Sequence, residues 1–340
     1  MACVASGCAG EASTPAPTPP PVDPCAATAS LVLAPATEGA NTVWRVAPKA
    51  TDGCITTALD THYVYRNRAI TAKNRLLVFL PGTGAIPRNY RLILIEAAAQ
   101  GYHAIGLSYP NETAVGDLCN MSQPTSLSCP GDVRRERLEG IDLSALVSID
   151  RANSIENRLI KALKLLHSIA PTDGWGQYVS GDTLHWRNFS VAGHSQGSGF
   201  AAYIGKNRRV FRVGMFGGPS DYVIALAQVP TWLTFGASKT PASSFYGLTS
   251  PLDELNVYPL VQSIWVQLGL GTALDVTDVD VVPSPYANRR MLNSNATPRN
   301  PGLAIGPYHN MPVVDVNTPL VAPFVGPATF NPVWRYMLFP

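Results

Sequence analysis

Short apolar runs alternate along the chain with stretches in which apolar positions return every three or four residues, and the two patterns predict strands and helices in turn. Thr42-Val43-Trp44-Arg45-Val46 and His62-Tyr63-Val64-Tyr65 are rich in β-branched and aromatic residues and read as early, antiparallel strands. Leu76-Leu77-Val78-Phe79-Leu80 is apolar throughout, as expected for a strand covered on both faces. It runs into Pro81-Gly82-Thr83-Gly84, after which Tyr90 to Gln100 reads as a helix stopped by Gly101, and His103 to Tyr109 as the next strand. Asn153 with Glu156 predicts a capped helix start, and Ile155, Leu159, Ala162, Leu165, Leu166 and Ile169 keep one face apolar until Pro171. Later strands are predicted at Phe189 to Ala192, Val210 to Phe216, Ser244 to Leu248 and, more weakly, Arg290 to Leu292. Helices are predicted at Ser198 to Ile204, Leu255 to Leu268 and Trp334 to Leu338. The alternation implies an α/β fold with a mainly parallel sheet and helices on both faces.

The segment 117–152 fits this rhythm least well. Its cluster Arg134, Arg135, Glu136, Arg137 and Glu139 reads as a solvated helix face, and its position in the order suggests a lid-like insertion above the sheet.

One turn in this alternation carries chemistry. Gly193-His194-Ser195-Gln196-Gly197 lies between the strand-like Phe189-Ser190-Val191-Ala192 and a run of small residues suited to a tightly packed helix. A G-x-S-x-G sequence at a strand-to-helix turn puts the serine at a strained, exposed position, with glycines allowing strand and helix to approach. A serine hydroxyl is a weak nucleophile until a neighbouring base takes its proton, and that base needs a third group to orient it. On this scaffold the partners follow in the order Ser, acid, His. Of the six histidines only His309 lies well beyond Ser195, in the loop-forming Gly306-Pro307-Tyr308-His309-Asn310. Between them stand Asp221, Asp253, Glu254, Asp275, Asp278 and Asp280. Asp253 is the first choice, following a strand by one short turn, although a plain helix cap would look the same. Asp221, one strand earlier, is the alternative. Asp275, Asp278 and Asp280 form an acidic run that reads as a solvated edge or a cation site. Two backbone N–H groups must face the developing oxyanion. Gln196, just after the serine, supplies one, and the Pro81-Gly82-Thr83-Gly84 loop supplies the other from Thr83, with Gly82 next in line. That loop lacks the Lys-Ser/Thr ending of a phosphate-binding loop and the third glycine of a dinucleotide fingerprint.

Composition narrows the remaining classes. With 340 residues, 46% hydrophobic and 14% charged, the chain can bury a large core. A net charge of +2 without a long basic run gives no support to nucleic-acid binding. No apolar run reaches the roughly 18 residues needed to cross a membrane. Residues 1–24 read as a disordered, proline-rich tether or signal remnant; Ala5-Ser6-Gly7-Cys8 is similar to the end of a lipoprotein signal, which would make Cys8 a lipid anchor. Residues 25–340 form the folded domain. Cys25 with Cys54 and Cys119 with Cys129 are expected to be disulfides, which places the protein in an oxidising compartment, secreted or at the cell surface.

Leu80-Pro81-Gly82-Thr83-Gly84, the pentapeptide around Ser195, Asp253 and His309 together resemble the α/β-hydrolase superfamily, and the Gly-His-Ser-Gln-Gly form is similar to that of secreted bacterial esterases and lipases. The resemblance covers roughly residues 40 to 340. It implies a sheet of about eight strands, no cofactor or metal, and hydrolysis of a carboxylic ester through an acyl-enzyme on Ser195. His309 would be the base, Asp253 the orienting acid and Thr83 and Gln196 the oxyanion donors. The expected substrate is a small-molecule or polymeric, hydrophobic ester, and the expected state a monomer. The alternatives are an acyltransferase using the same Ser-His chemistry and a catalytically silent surface binding protein of the same fold.

Overall fold

The computed structural model describes residues 2–3, 24–26, 34–122, 124–322 and 325–340. Almost all of the 1–24 tether, including Cys8, lies outside the described residues. Ten strands form one sheet: β1 (Ala36–Glu38), β2 (Asn41–Val46), β3 (His62–Arg66), β4 (Leu76–Leu80), β5 (His103–Gly106), β6 (Phe189–His194), β7 (Arg212–Phe216), β8 (Phe245–Thr249), β9 (Val276–Asp278) and β10 (Met291–Asn293). Their order is β1-β2-β3-β5-β4-β6-β7-β8-β10-β9. The first three strands pair antiparallel at one edge, and every pairing from β5 to β9 is parallel. This is an α/β fold with a mainly parallel sheet and helices around it, with ten strands where about eight were expected. The two unforeseen ones, β1 and β9, are three-residue strands at the sheet edges, too short for an alternating pattern to show. β9 also lies inside the acidic run of Asp275, Asp278 and Asp280. Asp275 there accepts from the Thr272 N–H (2.7 Å) and Asp280 from the Asn295 N–H (2.7 Å), so these carboxylates hold turns beside the edge strand.

Among the described residues, seven helices of more than one and a half turns flank the sheet: α1 (Arg91–Ala99), α2 (Val115–Met121), α3 (Cys129–Glu139), α4 (Ile155–Ile169), α5 (Gln196–Asn207), α6 (Tyr258–Gln267) and α7 (Asn331–Leu338). β4 shows why the central strands are apolar throughout. Leu76, Val78 and Leu80 join the core under α4, α5 and α6, while Leu77 and Phe79 join the one under α1 and α7. The α4 start is shifted by one residue from the expected cap. Ser154 accepts from the Asn157 N–H, and Asn153 instead holds the Thr56 and Thr57 N–H groups. Ile169, expected on the apolar face of α4, is exposed. Both expected disulfides, Cys25–Cys54 and Cys119–Cys129, are formed.

The charged cluster on α3 is not the solvated face that its composition predicts. Arg135 and Glu139 do pair on the surface, but Arg134, Glu136 and Arg137 are buried. Arg134 pairs with Asp221, and Glu136 accepts three backbone N–H bonds from Leu143, Ser144 and Ile149. Asp221 is 87 positions further along the chain. A local pattern carries no trace of such a partner, and without one the burial of a guanidinium is prohibitive.

Candidate active site

The parallel strands all point their carboxyl ends at one edge, and the loops there build a cleft of about 420 Å³ lined by Gly82, Thr83, Ser195, Gln196 and His309 among others. β6 ends at His194 and α5 begins at Gln196, so Ser195 alone makes the turn, at φ 53° and ψ −120°. A non-glycine residue at such φ is strained and is held there by its surroundings. The flanking glycines are dictated by contact: a Cβ on Gly193 would overlap the Gly197 carbonyl, and one on Gly197 would overlap the Leu80 and Pro81 carbonyls. The Ser195 N–H donates to the Phe216 carbonyl (2.8 Å) and its carbonyl accepts from the Ser198 N–H (3.0 Å), which pins both sides of the turn.

His309 sits in the single helical turn Pro307–Asn310 and is buried. Its Nδ1 lies 2.9 and 2.8 Å from the two carboxylate oxygens of Asp253. Asp253 also accepts from the Leu255 and Asn256 N–H groups (2.9 and 2.8 Å), so it caps a turn and meets the histidine at once. The helix that follows starts only at Tyr258, so the N–H groups held by Asp253 belong to the turn before it and not to a helix cap. Asp221 also lines the cleft, but its carboxylate is taken by Arg134 and by the Trp232 indole N–H (3.0 Å). Glu254, one of the candidate acids, accepts from the backbone N–H groups of Tyr308 and His309 at 3.0 Å each, fixing the turn that presents the imidazole.

The loop after β4 closes over the same cleft. The Tyr109 hydroxyl donates to the Pro81 carbonyl (2.7 Å), and Asn111 Nδ2 donates to the Gly82 and Ala85 carbonyls. The Gly82 N–H is already given to the Tyr90 hydroxyl (3.0 Å). Among the described residues neither the Thr83 nor the Gln196 N–H has an acceptor. The Gln196 N–H opens a twelve-residue helix whose dipole favours negative charge at that end.

Several residues that shape the cleft had no sequence signal beyond their type. The Gln196 side chain is a hub: its Oε1 accepts from the Val115 N–H (3.1 Å) and from Arg137 (2.7 Å), and its Nε2 donates to the Asn111 carbonyl (3.0 Å) and Thr83 Oγ1 (3.3 Å). It thus ties the loop after β4 to α2 and α3, and this is how the 117–152 segment meets the cleft, with Asp117 and Arg134 in its wall. Tyr90 and His194, both buried, form the floor; burial and the neighbouring His309 keep His194 well below the ordinary imidazole pKa.

No protein-family model matches the chain, and no curated protein does. Solved structures do match, among them an S-formylglutathione hydrolase from Agrobacterium tumefaciens. It is 14% identical, with 71% of this chain and 87% of that chain covered at a TM-score of 0.41. A likeness of that degree carries nothing about chemistry. Among the described residues no helix is long and apolar enough to cross a membrane.

Proposed function

We propose that this protein is a serine hydrolase of the α/β-hydrolase superfamily that cleaves carboxylic esters. The observation that carries the reading is the Asp253–His309 pair at 2.8 Å in the same cleft as a serine strained to φ 53°. Ser195 Oγ attacks the ester carbonyl while His309 Nε2 takes its proton, and Asp253 stabilises the imidazolium through Nδ1. The tetrahedral oxyanion is met by the Thr83 and Gln196 N–H groups. Collapse expels the alcohol with the proton from His309 and leaves an acyl group on Ser195. Water, deprotonated by His309, then releases the acid and restores the serine.

The rim of the cleft favours a hydrophobic ester. Leu255 and Ile305 line it while remaining 55% and 68% exposed, and Leu252 and Val257 beside them are also exposed. Apolar side chains left at the mouth of a site are suited to an acyl chain or polymer strand too long for the cleft. The two disulfides support an exported location, in an oxidising compartment. Hydrolysis of p-nitrophenyl butyrate by purified wild type and Ser195→Ala tests the reading. The wild type should turn over and the variant should be inactive with an unchanged circular dichroism spectrum. Activity retained in the variant would exclude Ser195 as nucleophile.

A further inference from the structure

His194 is part of the pentapeptide, yet the reaction written above gives it no task. It is buried against the two loops on which that reaction depends. Its Nε2 lies 3.1 Å from the backbone carbonyl of His309, and its Nδ1 lies 3.0 Å from the Tyr90 hydroxyl. A carbonyl only accepts, so Nε2 carries the proton and Nδ1 offers its lone pair. The Tyr90 hydroxyl must then donate to Nδ1, and its oxygen is free to accept the Gly82 N–H at 3.0 Å. Every bond therefore runs one way: Gly82 N–H to Tyr90, Tyr90 O–H to His194, His194 N–H to the carbonyl of His309. The loop after β4 and the turn holding His309 come from opposite flanks of β6, and this relay joins them through the residue next to Ser195.

The packing around the relay is as tight as its bonding. A Cβ on Gly82 would lie 2.9 Å from His194 Nδ1 and 3.1 Å from Ser195 Cβ, and one on Gly217 would lie 3.4 Å from His194 Cδ2. The His194 and His309 ring centroids are 4.7 Å apart. A second positive imidazole at that distance would oppose the imidazolium that forms on His309, and the relay satisfies His194 only as the neutral ring.

We infer that Tyr90 and His194 are positioning residues that fix the oxyanion donor loop and the turn of His309 relative to Ser195. The inference rests on the proposed function. A displacement of about 1 Å between reacting groups is enough to cost on the order of 10²-fold in rate, whereas the Tyr90 hydroxyl and both ring nitrogens of His194 are already bonded within the protein and make no polar contact with an ester in the cleft.

A similar arrangement elsewhere provides the control. His103, at the start of β5 and so at the far end of the sheet from the cleft, has its Nδ1 2.7 Å from the Tyr178 hydroxyl and its Nε2 2.6 Å from the Asp173 carbonyl. Tyr90→Phe, His194→Leu, His194→Gln and Tyr178→Phe are compared by steady-state kinetics on p-nitrophenyl butyrate. Turnover is normalised to active sites titrated with a fluorophosphonate, and the Ki of a trifluoromethyl ketone, which forms a tetrahedral adduct on the serine, is measured for each. Tyr90→Phe and His194→Leu are expected to lower kcat about 10- to 10²-fold with KM within about twofold, and to weaken the ketone in parallel. His194→Gln keeps one donor and one acceptor and should recover part of the loss. Tyr178→Phe should lower the melting temperature and leave kcat and Ki per active site unchanged. Wild-type kcat and Ki per site in Tyr90→Phe and His194→Leu would overturn the inference, as would an equal loss of kcat in Tyr178→Phe. Inactivity of Ser195→Ala alongside such wild-type behaviour would refute the relay alone. Activity of Ser195→Ala would instead remove the proposed function on which it rests.

Discussion

Asp253 and Asp221 are both buried aspartates after sheet strands, and substituting each by asparagine should produce opposite phenotypes. Asp253→Asn leaves an oxygen to accept from the Leu255 and Asn256 N–H groups, so the turn survives. It removes the charge beside His309 Nδ1 and allows the amide to hold the wrong imidazole tautomer. The cost should appear in kcat, at about 10³ to 10⁴-fold, with the melting temperature nearly unchanged. In the Arg134–Asp221 pair the side chains are 2% and 3% exposed, and Asp221→Asn strands the guanidinium in the interior. Leaving one partner of a buried pair uncompensated costs about 3–5 kcal/mol. At about 2–4 °C per kcal/mol for a large domain, that is on the order of 10 °C in apparent melting temperature. Activity per titrated active site should stay close to wild type. Differential scanning fluorimetry and p-nitrophenyl ester kinetics on the two variants decide the matter. If Asp221→Asn loses the catalytic factor without losing stability, while Asp253→Asn keeps its activity, the assignment of the two carboxylates is wrong.

Other outcomes follow from the same geometry. His62 and His103 are held neutral by burial, down to pKa values of about 3 and about 4. Because the folded values lie below the unfolded one, their contribution is present above about pH 6.5 and is lost as pH falls toward 4 and then 3. Melting temperature should therefore decline with acidification across that window, and His103→Gln should flatten the upper part of the decline; parallel curves for variant and wild type would refute this. Gly197→Ala would drive a methyl into the Leu80 and Pro81 carbonyls and should abolish soluble, folded protein, judged by expression and circular dichroism. Leu255→Ser with Ile305→Ser should raise KM for long-chain p-nitrophenyl esters several-fold and leave the acetyl ester unchanged, a result that an equal change on both substrates would contradict.

The architecture was legible where apolar pattern and turn chemistry agree. β4 and α4 are visible because burial imposes an unbroken run in one and a helical stripe in the other. The turn at Ser195 is visible because close approach admits only glycine at positions 193 and 197. His309 was singled out by chain order and its loop-forming neighbours, and the structure places it in the cleft with Ser195. What the sequence concealed is held by partners far apart in it. The burial of Arg134 depends on Asp221, and the reach of the Gln196 side chain depends on Asn111, Val115 and Arg137, none of which a local window can connect. Tyr90 looked like the first residue of a helix and His194 like the variable position of the pentapeptide. Their roles exist only once β4 and β6 lie side by side.

The central claim is that Ser195 is a nucleophile activated by His309. Labelling with a fluorophosphonate, followed by peptide mapping, tests it most directly. One adduct per chain on the peptide containing Ser195, lost in Ser195→Ala and strongly slowed in His309→Ala, is the predicted result. A wild-type chain left unlabelled, or labelled equally fast without His309, would contradict it.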